Sequence, residues 1–224
     1  MRKILNYTSF YNSLGPLKVF SREQAEQFFP KFDSRRLFEW KQKDYLYKLT
    51  NKWYCFTNIP NTIGVQYLIS NSLCKPSYIS LESALWYYEL INEAPLIDEV
   101  PLINEVSPLP LVHAITQHKT VMYDTPKGNY NYRKIKPSLF LGYDTIELED
   151  IKIQMACKEK ALVDFLYFNA SLNSLSKLSS INWDSTQMEL LNWKLVADFQ
   201  KSFQSKALNR RVDLLKKLLK IGVI

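Results

Sequence analysis

Glycine is scarce in this chain, with 5 among 224 residues, and proline contributes only 10. So few breakers exclude collagen-like and linker-dominated chains. Neither a Walker A loop nor a dinucleotide-binding pattern occurs, and there is no Gly-x-Ser-x-Gly nucleophile turn. Cysteine is limited to Cys55, Cys74 and Cys157, an odd number without a Cys-x-x-Cys pair. Only His113 and His118 could join them, so no metal site and no cofactor are expected. This cysteine usage favours a reduced, cytoplasmic protein. A run of about 18 apolar residues is missing, so neither a membrane-spanning helix nor a membrane partner is expected. The opening Met1-Arg2-Lys3-Ile4-Leu5-Asn6 turns polar too soon for a signal peptide.

What is present suits a globular chain, 46% hydrophobic and 23% charged. The net charge of +7 is unevenly spread. Residues 1–60 hold 11 Lys/Arg against 5 Asp/Glu, residues 61–199 hold 11 against 16, and residues 200–224 hold 7 against 1. Both ends are therefore basic around an acidic middle. A basic lobe attracts polyanions through counterion release, although a solvated basic surface would have the same composition.

The first sixty residues read as helix, short strand, helix, turn, helix and β-hairpin. Ile4, Leu5, Thr8, Tyr11 and Leu14 recur at helical spacing before Gly15-Pro16. Val19-Phe20 is a short β-type step. Ser21 with Gln24 forms the pattern of a capping box, and Ala25, Phe28 and Phe29 give the next helix its expected buried stripe. Asp33 or Ser34 can cap a third helix to about Lys43, with Leu37 and Trp40 turned inward. Tyr45–Leu49 and Trp53–Phe56 suit strands, joined at Thr50-Asn51-Lys52, where Asn51 tolerates the left-handed backbone of a three-residue loop.

That order is the layout of a winged helix-turn-helix over residues 1–60. The third helix would present Ser34, Arg35, Arg36, Glu39 and Lys43 to a major groove, with either arginine able to fork onto guanine or phosphate. Lys48, Asn51 and Lys52 of the hairpin would lie near the DNA backbone. Small three-helix domains with a hairpin also serve as protein-binding modules.

Residues 61–224 read as a mixed α/β domain ending in helices, which makes the whole chain α+β. Ile63–Leu73 reads as a helix, Tyr78-Ile79 as a short strand, and Ser80 as the N-cap of a helix to about Leu90. Asn92–Pro110 is Pro- and acid-rich and reads as an irregular loop. Strands are expected at 112–115, 120–123, 130–135 and 151–155, with a turn at Pro126-Lys127-Gly128-Asn129, before a helix at 156–168. Asp184 or Ser185, and then Asn192, can cap further helices. The last helix, 206–220, carries Leu208, Val212, Leu215 and Leu219 on one side. Arg210, Arg211, Lys216, Lys217 and Lys220 on the other are a possible second basic surface. A docked helix with a solvated face, a nucleic-acid contact and a membrane-surface helix all fit this pattern.

Four segments of this body carry a resemblance. Pro76-Ser77-Tyr78-Ile79-Ser80-Leu81-Glu82-Ser83-Ala84-Leu85, Gly128-Asn129-Tyr130-Asn131-Tyr132-Arg133-Lys134-Ile135, Phe140-Leu141-Gly142-Tyr143 and Glu159-Lys160-Ala161-Leu162-Val163-Asp164 follow a helix-turn-helix in that order. Together they resemble the AbiEi antitoxin family of type IV, abortive-infection toxin–antitoxin systems. The resemblance covers about residues 20–220. It implies an N-terminal domain that binds operator DNA at repeats, expected to be inverted, and represses its own operon. It also implies a C-terminal body with antitoxin activity against a nucleotidyltransferase-like toxin encoded next door. The chain departs from the family at Glu89, where a glycine is usual, and at Asn51-Lys52, where the wing usually has a basic-Gly turn.

Two alternatives come from the residues. Asp144, Glu147, Glu149, Asp150 and Lys152 include an acid-x-Lys triplet of the form used by metal-dependent nucleases. A transcription factor responding to a ligand or partner would show the same N-terminal signals. Glu82, Glu159 and Asp164 suit helix-terminus electrostatics or a partner contact.

Overall fold

The computed structural model describes residues 5–95 and 110–220 and has an α+β architecture. The N-terminal lobe comprises α1 (Tyr7–Leu14), a 3-10 turn, β1 (Val19–Ser21), α2 (Arg22–Phe28), α3 (Arg35–Gln42), β2 (Leu46–Lys48) and β3 (Trp53–Phe56). Its three strands form an antiparallel sheet in the order β1-β3-β2. Local chemistry sets several boundaries. Ser21 and Gln24 cap α2 reciprocally, at 3.1 and 2.8 Å.

The sheet is shared between two cores. Along β3, Tyr54 and Phe56 pack with Phe10, Phe20, Leu37, Trp40 and Leu46 of the lobe. Cys55, between them, faces the other way and joins Val19 and Leu49 in the main core. This follows from the period-2 alternation of a strand buried on both sides. Body side chains fasten the far side. Lys127 donates from Nζ to the Ile59 carbonyl at 2.7 Å and lies 5.3 Å from the Tyr47 ring centre. Lys75 lies 5.4 Å from that of Trp53.

The body is a six-stranded mixed sheet in the order β6-β7-β5-β4-β9-β8. Its strands are β4 (Ser77–Ile79), β5 (Leu111–Thr116), β6 (Val121–Thr125), β7 (Gly128–Lys134), β8 (Tyr143–Leu148) and β9 (Ile151–Ala156). Helix α4 (Ile63–Leu73) covers one face, where the Tyr130 phenol donates to Gln66 Oε1 at 2.5 Å and that of Tyr132 to the Ser70 carbonyl at 2.6 Å. Helices α5 (Leu81–Tyr87) and α6 (Lys158–Phe168) cover the other. Outside α6 lie α7 (Leu175–Ser179), α8 (Ser185–Glu189), α9 (Trp193–Phe203) and α10 (Lys206–Leu218). Asp184 and Asn192 cap α8 and α9, each accepting from the backbone N–H three residues on. No helix among the described residues is long and apolar enough to cross a membrane.

Several expectations need correction. In α1 the buried residues are Phe10 and Leu14, and Thr8 is exposed, because Phe10 stacks on Phe29 and Phe32. Phe28 is 51% exposed, since α2 ends there and Ala25 alone of the helix is buried. Asn51 does not have a left-handed backbone. The Thr50 hydroxyl closes the hairpin instead, accepting from the N–H groups of Lys52 and Trp53 at 3.3 Å each. Strand β8 was not foreseen, because Asp144 and Glu147 give it a charged, exposed edge. Most of the expected loop at 92–110 lies outside the described residues.

Candidate nucleic-acid interface

Helix α3 is anchored through Leu37 and Trp40, both buried. Its start is set by Asp33, whose Oδ1 accepts from the Arg35 N–H at 3.0 Å. Ser34 sits at the N-cap without a side-chain capping bond. The same Asp33 carboxylate receives the Arg35 guanidinium, with Nη2 at 2.7 Å from Oδ2. This pairing, with the backbone N–H, holds the Asp33 carboxyl below its ordinary range. The Arg35 side chain remains 85% exposed.

Arg36 does not share that position. Its Nη1 donates to Glu39 Oε2 at 2.7 Å, its Nη2 to the Leu5 carbonyl at 3.0 Å, and its guanidinium lies 5.2 Å from the Trp40 ring centre. It fastens α3 to the approach of α1: its Nε is buried and the side chain is only 29% exposed, so it is not presented outward as Arg35 is. Lys43, Lys48, Asn51 and Lys52 are all exposed. The three lysines have no salt-bridge partner among the described residues.

Sequence reasoning missed two exposed α3 residues, Phe38 and Gln42. The signal was available: positions 35, 38, 39 and 42 follow the i, i+3, i+4, i+7 rule of one helix face, opposite Leu37 and Trp40.

Arg210 and Lys217 on α10 are exposed, as is Lys220 just past its end, but two members of the expected basic surface are committed elsewhere. Arg211 is buried and donates from Nη1 to the Leu166 carbonyl at 2.7 Å, at the C-terminal end of α6 where a cation suits the helix dipole. Lys216 lies 5.3 Å from the Trp193 ring centre. The α10 helix belongs to the layer on the α6 side of the sheet, while the N-terminal lobe joins the sheet on the α4 side.

Three of the four resemblance segments converge inside the body. The Tyr78 phenol donates to Asp164 Oδ2 at 3.0 Å and accepts from Lys160 Nζ at 2.9 Å. The Ser80 hydroxyl donates to Asp164 Oδ2 at 3.0 Å, and Lys160 pairs with Asp164 Oδ1. Phe140 and Tyr143 pack on the Tyr78 ring. All four polar residues are fully buried. Burial pushes the Asp164 carboxyl above its ordinary range, against the pull of Lys160, Ser80 and Tyr78. Two readings are corrected by this geometry. Ser80 occupies the N-cap of α5 but its hydroxyl is spent on Asp164. Asp164 and Glu159 cannot form a partner surface, since Glu159 is also buried and accepts from the Asn192 N–H at 3.0 Å.

One carboxylate of the acidic hairpin is likewise committed, while Asp144, Glu147 and Asp150 are exposed. Glu149 turns to the start of α4, where it accepts from the Thr62 hydroxyl and from the Gly64 N–H at 3.2 Å. Glu147 stands across from Lys152 in the β8–β9 ladder, and Asp150 is in the connecting turn with φ 60°. Among the described residues no three His, Cys, Asp or Glu side chains group as metal ligands. The histidines are apart: His113 Nδ1 lies 2.7 Å from Glu82 Oε2, and His118 Nε2 lies 2.8 Å from the Lys75 carbonyl. No protein-family model matches the sequence, and no curated protein matches it.

Proposed function

We propose that the protein is a DNA-binding transcriptional autorepressor and antitoxin, with residues 1–60 acting as a winged helix-turn-helix. The observation that carries the DNA-binding half is the outer side of α3, which is solvent-exposed from Arg35 to Gln42 beside a hairpin bearing free Lys48 and Lys52. A helix held by its inner stripe on a sheet packed from behind is stiff enough to enter a major groove. Lys43, Lys48 and Lys52 supply phosphate contacts, which fix register without reading sequence. The antitoxin half rests on the resemblance alone. In that reading the partner is a nucleotidyltransferase-like toxin from the same operon, and the buried Tyr78–Asp164 cluster keeps the body folded rather than touching the toxin.

Gel shifts with the DNA upstream of the gene test the first half. Retardation in preference to random duplex is expected. With about 4–6 phosphate contacts per protomer, the logarithm of affinity should fall with the logarithm of salt at a slope of about −4 to −5. Equal binding to both DNAs would remove operator recognition. Co-expression with the neighbouring reading frame tests the second half. Rescue of growth supports an antitoxin, and a harmless neighbour leaves a plain regulator.

A further inference from the structure

We infer that sequence is read by three side chains of one α3 stripe, Arg35, Phe38 and Gln42, and that Arg36 is scaffold. This rests on the proposed binding of duplex DNA by the lobe. The stripe runs from i to i+7, about 10 Å along the helix axis, which matches about three base-pair steps. Its chemistry is mixed in a way that phosphate binding does not require. Phe38 is 64% exposed and has nothing to offer a phosphate, but its ring can cover a thymine methyl group. Gln42 is exposed at the last position of α3, and an amide of this length forks onto the N6 and N7 edge of adenine. Arg35 is bound only by Asp33, on the surface, so it can exchange that carboxylate for the O6 and N7 edge of guanine at little cost. Glu39, also on this side, is engaged with Arg36. A half-site would therefore contain guanine, thymine and adenine preferences within a window of about three to four base pairs.

Selection of the full chain on duplexes with a randomised centre tests this. Arg35→Ala, Phe38→Ala and Gln42→Ala should each flatten one position of the selected motif, with about tenfold lost discrimination there. Affinity for unselected duplex should change by only about twofold in the Phe38 and Gln42 variants. Circular dichroism checks that each variant folds, and Arg36→Lys should keep the wild-type motif. If all three alanine variants select the wild-type motif, or if only Lys48→Ala and Lys52→Ala alter it, the assignment is overturned while DNA binding stands. If the wild type binds no duplex even at low salt, the proposed function falls, and this inference with it.

Discussion

The phenol of Tyr78 and the carboxylate of Asp164, 86 positions apart, meet at 3.0 Å in a fully buried setting. With Lys160 and Ser80 they tie β4 to α6. A buried ion pair is costly to break from one side, because the remaining charge loses its partner. Asp164→Ala should therefore destabilise the protein by about 3–5 kcal/mol in urea unfolding. The double substitution Lys160→Met with Asp164→Leu should recover much of that loss. Tyr78→Phe removes one donor and should cost about 1–3 kcal/mol. Equal stability of Asp164→Ala and the double variant would show that the charge pair does not govern this site.

Glu89 ends α5 in a left-handed conformation, with φ 58°. The Leu90 N–H donates to the Leu85 carbonyl and the Glu89 N–H to the Trp86 carbonyl, both at 2.9 Å, which is a Schellman arrangement. A glycine would suit this position better, because the left-handed region costs an L-residue about 1–2 kcal/mol. Glu89→Gly relieves that strain but loosens the unfolded chain. The net expectation is a gain of about 0.5–1 kcal/mol, read as a higher thermal midpoint. Glu89→Ala should gain nothing comparable, since it retains a Cβ.

Signals confined to a few neighbouring residues were legible in the sequence. The Ser21–Gln24 capping box, the caps at Asp184 and Asn192, and the α4 span Ile63–Leu73 all follow from local rules. Partners distant in sequence decided the rest. Ser80 lost its capping role to Asp164, Arg36 was claimed by Leu5 and Glu39, and Arg211 was drawn inward by the Leu166 carbonyl. Each is a polar side chain whose best acceptor could be identified only after the chain had folded. The α3 stripe falls between these cases: its spacing was visible, but the exposure of Phe38 depended on which side Trp40 buried.

Acid should weaken the contact between α5 and β5. Burial opposes ionisation of Glu82, but His113, the backbone N–H of Glu82 and the Asn169 amide together outweigh it, and the carboxyl lies below its ordinary range. A carboxyl lowered in the folded state stabilises above its unfolded pKa of about 4.3, and that contribution is lost as pH falls through the folded value. Urea midpoints measured from about pH 6 down to about pH 3 should drop for the wild type. Glu82→Gln should flatten the part of this drop that comes from Glu82. An unchanged slope in that variant would assign the acid sensitivity to other carboxylates.

Docking of the lobe on the body can be followed at Cys55. This thiol is fully buried on the side of β3 that faces the main core, and burial pushes its pKa up to about 11. It should resist iodoacetamide near neutral pH while the sheet stays docked. Lys127, which binds the Ile59 carbonyl and lies against Tyr47, is one of the fasteners. A hydrogen bond from a charged group contributes about 1.5–3 kcal/mol, so Lys127→Ala should raise the fraction of opened lobe by about tenfold or more. Cys55 alkylation should accelerate by the same factor, while Cys74, bonded to Thr116 inside the body, keeps its wild-type rate. Equal acceleration at both cysteines would mean that lobe and body open as one cooperative unit, with the shared sheet binding them more tightly than Lys127 does.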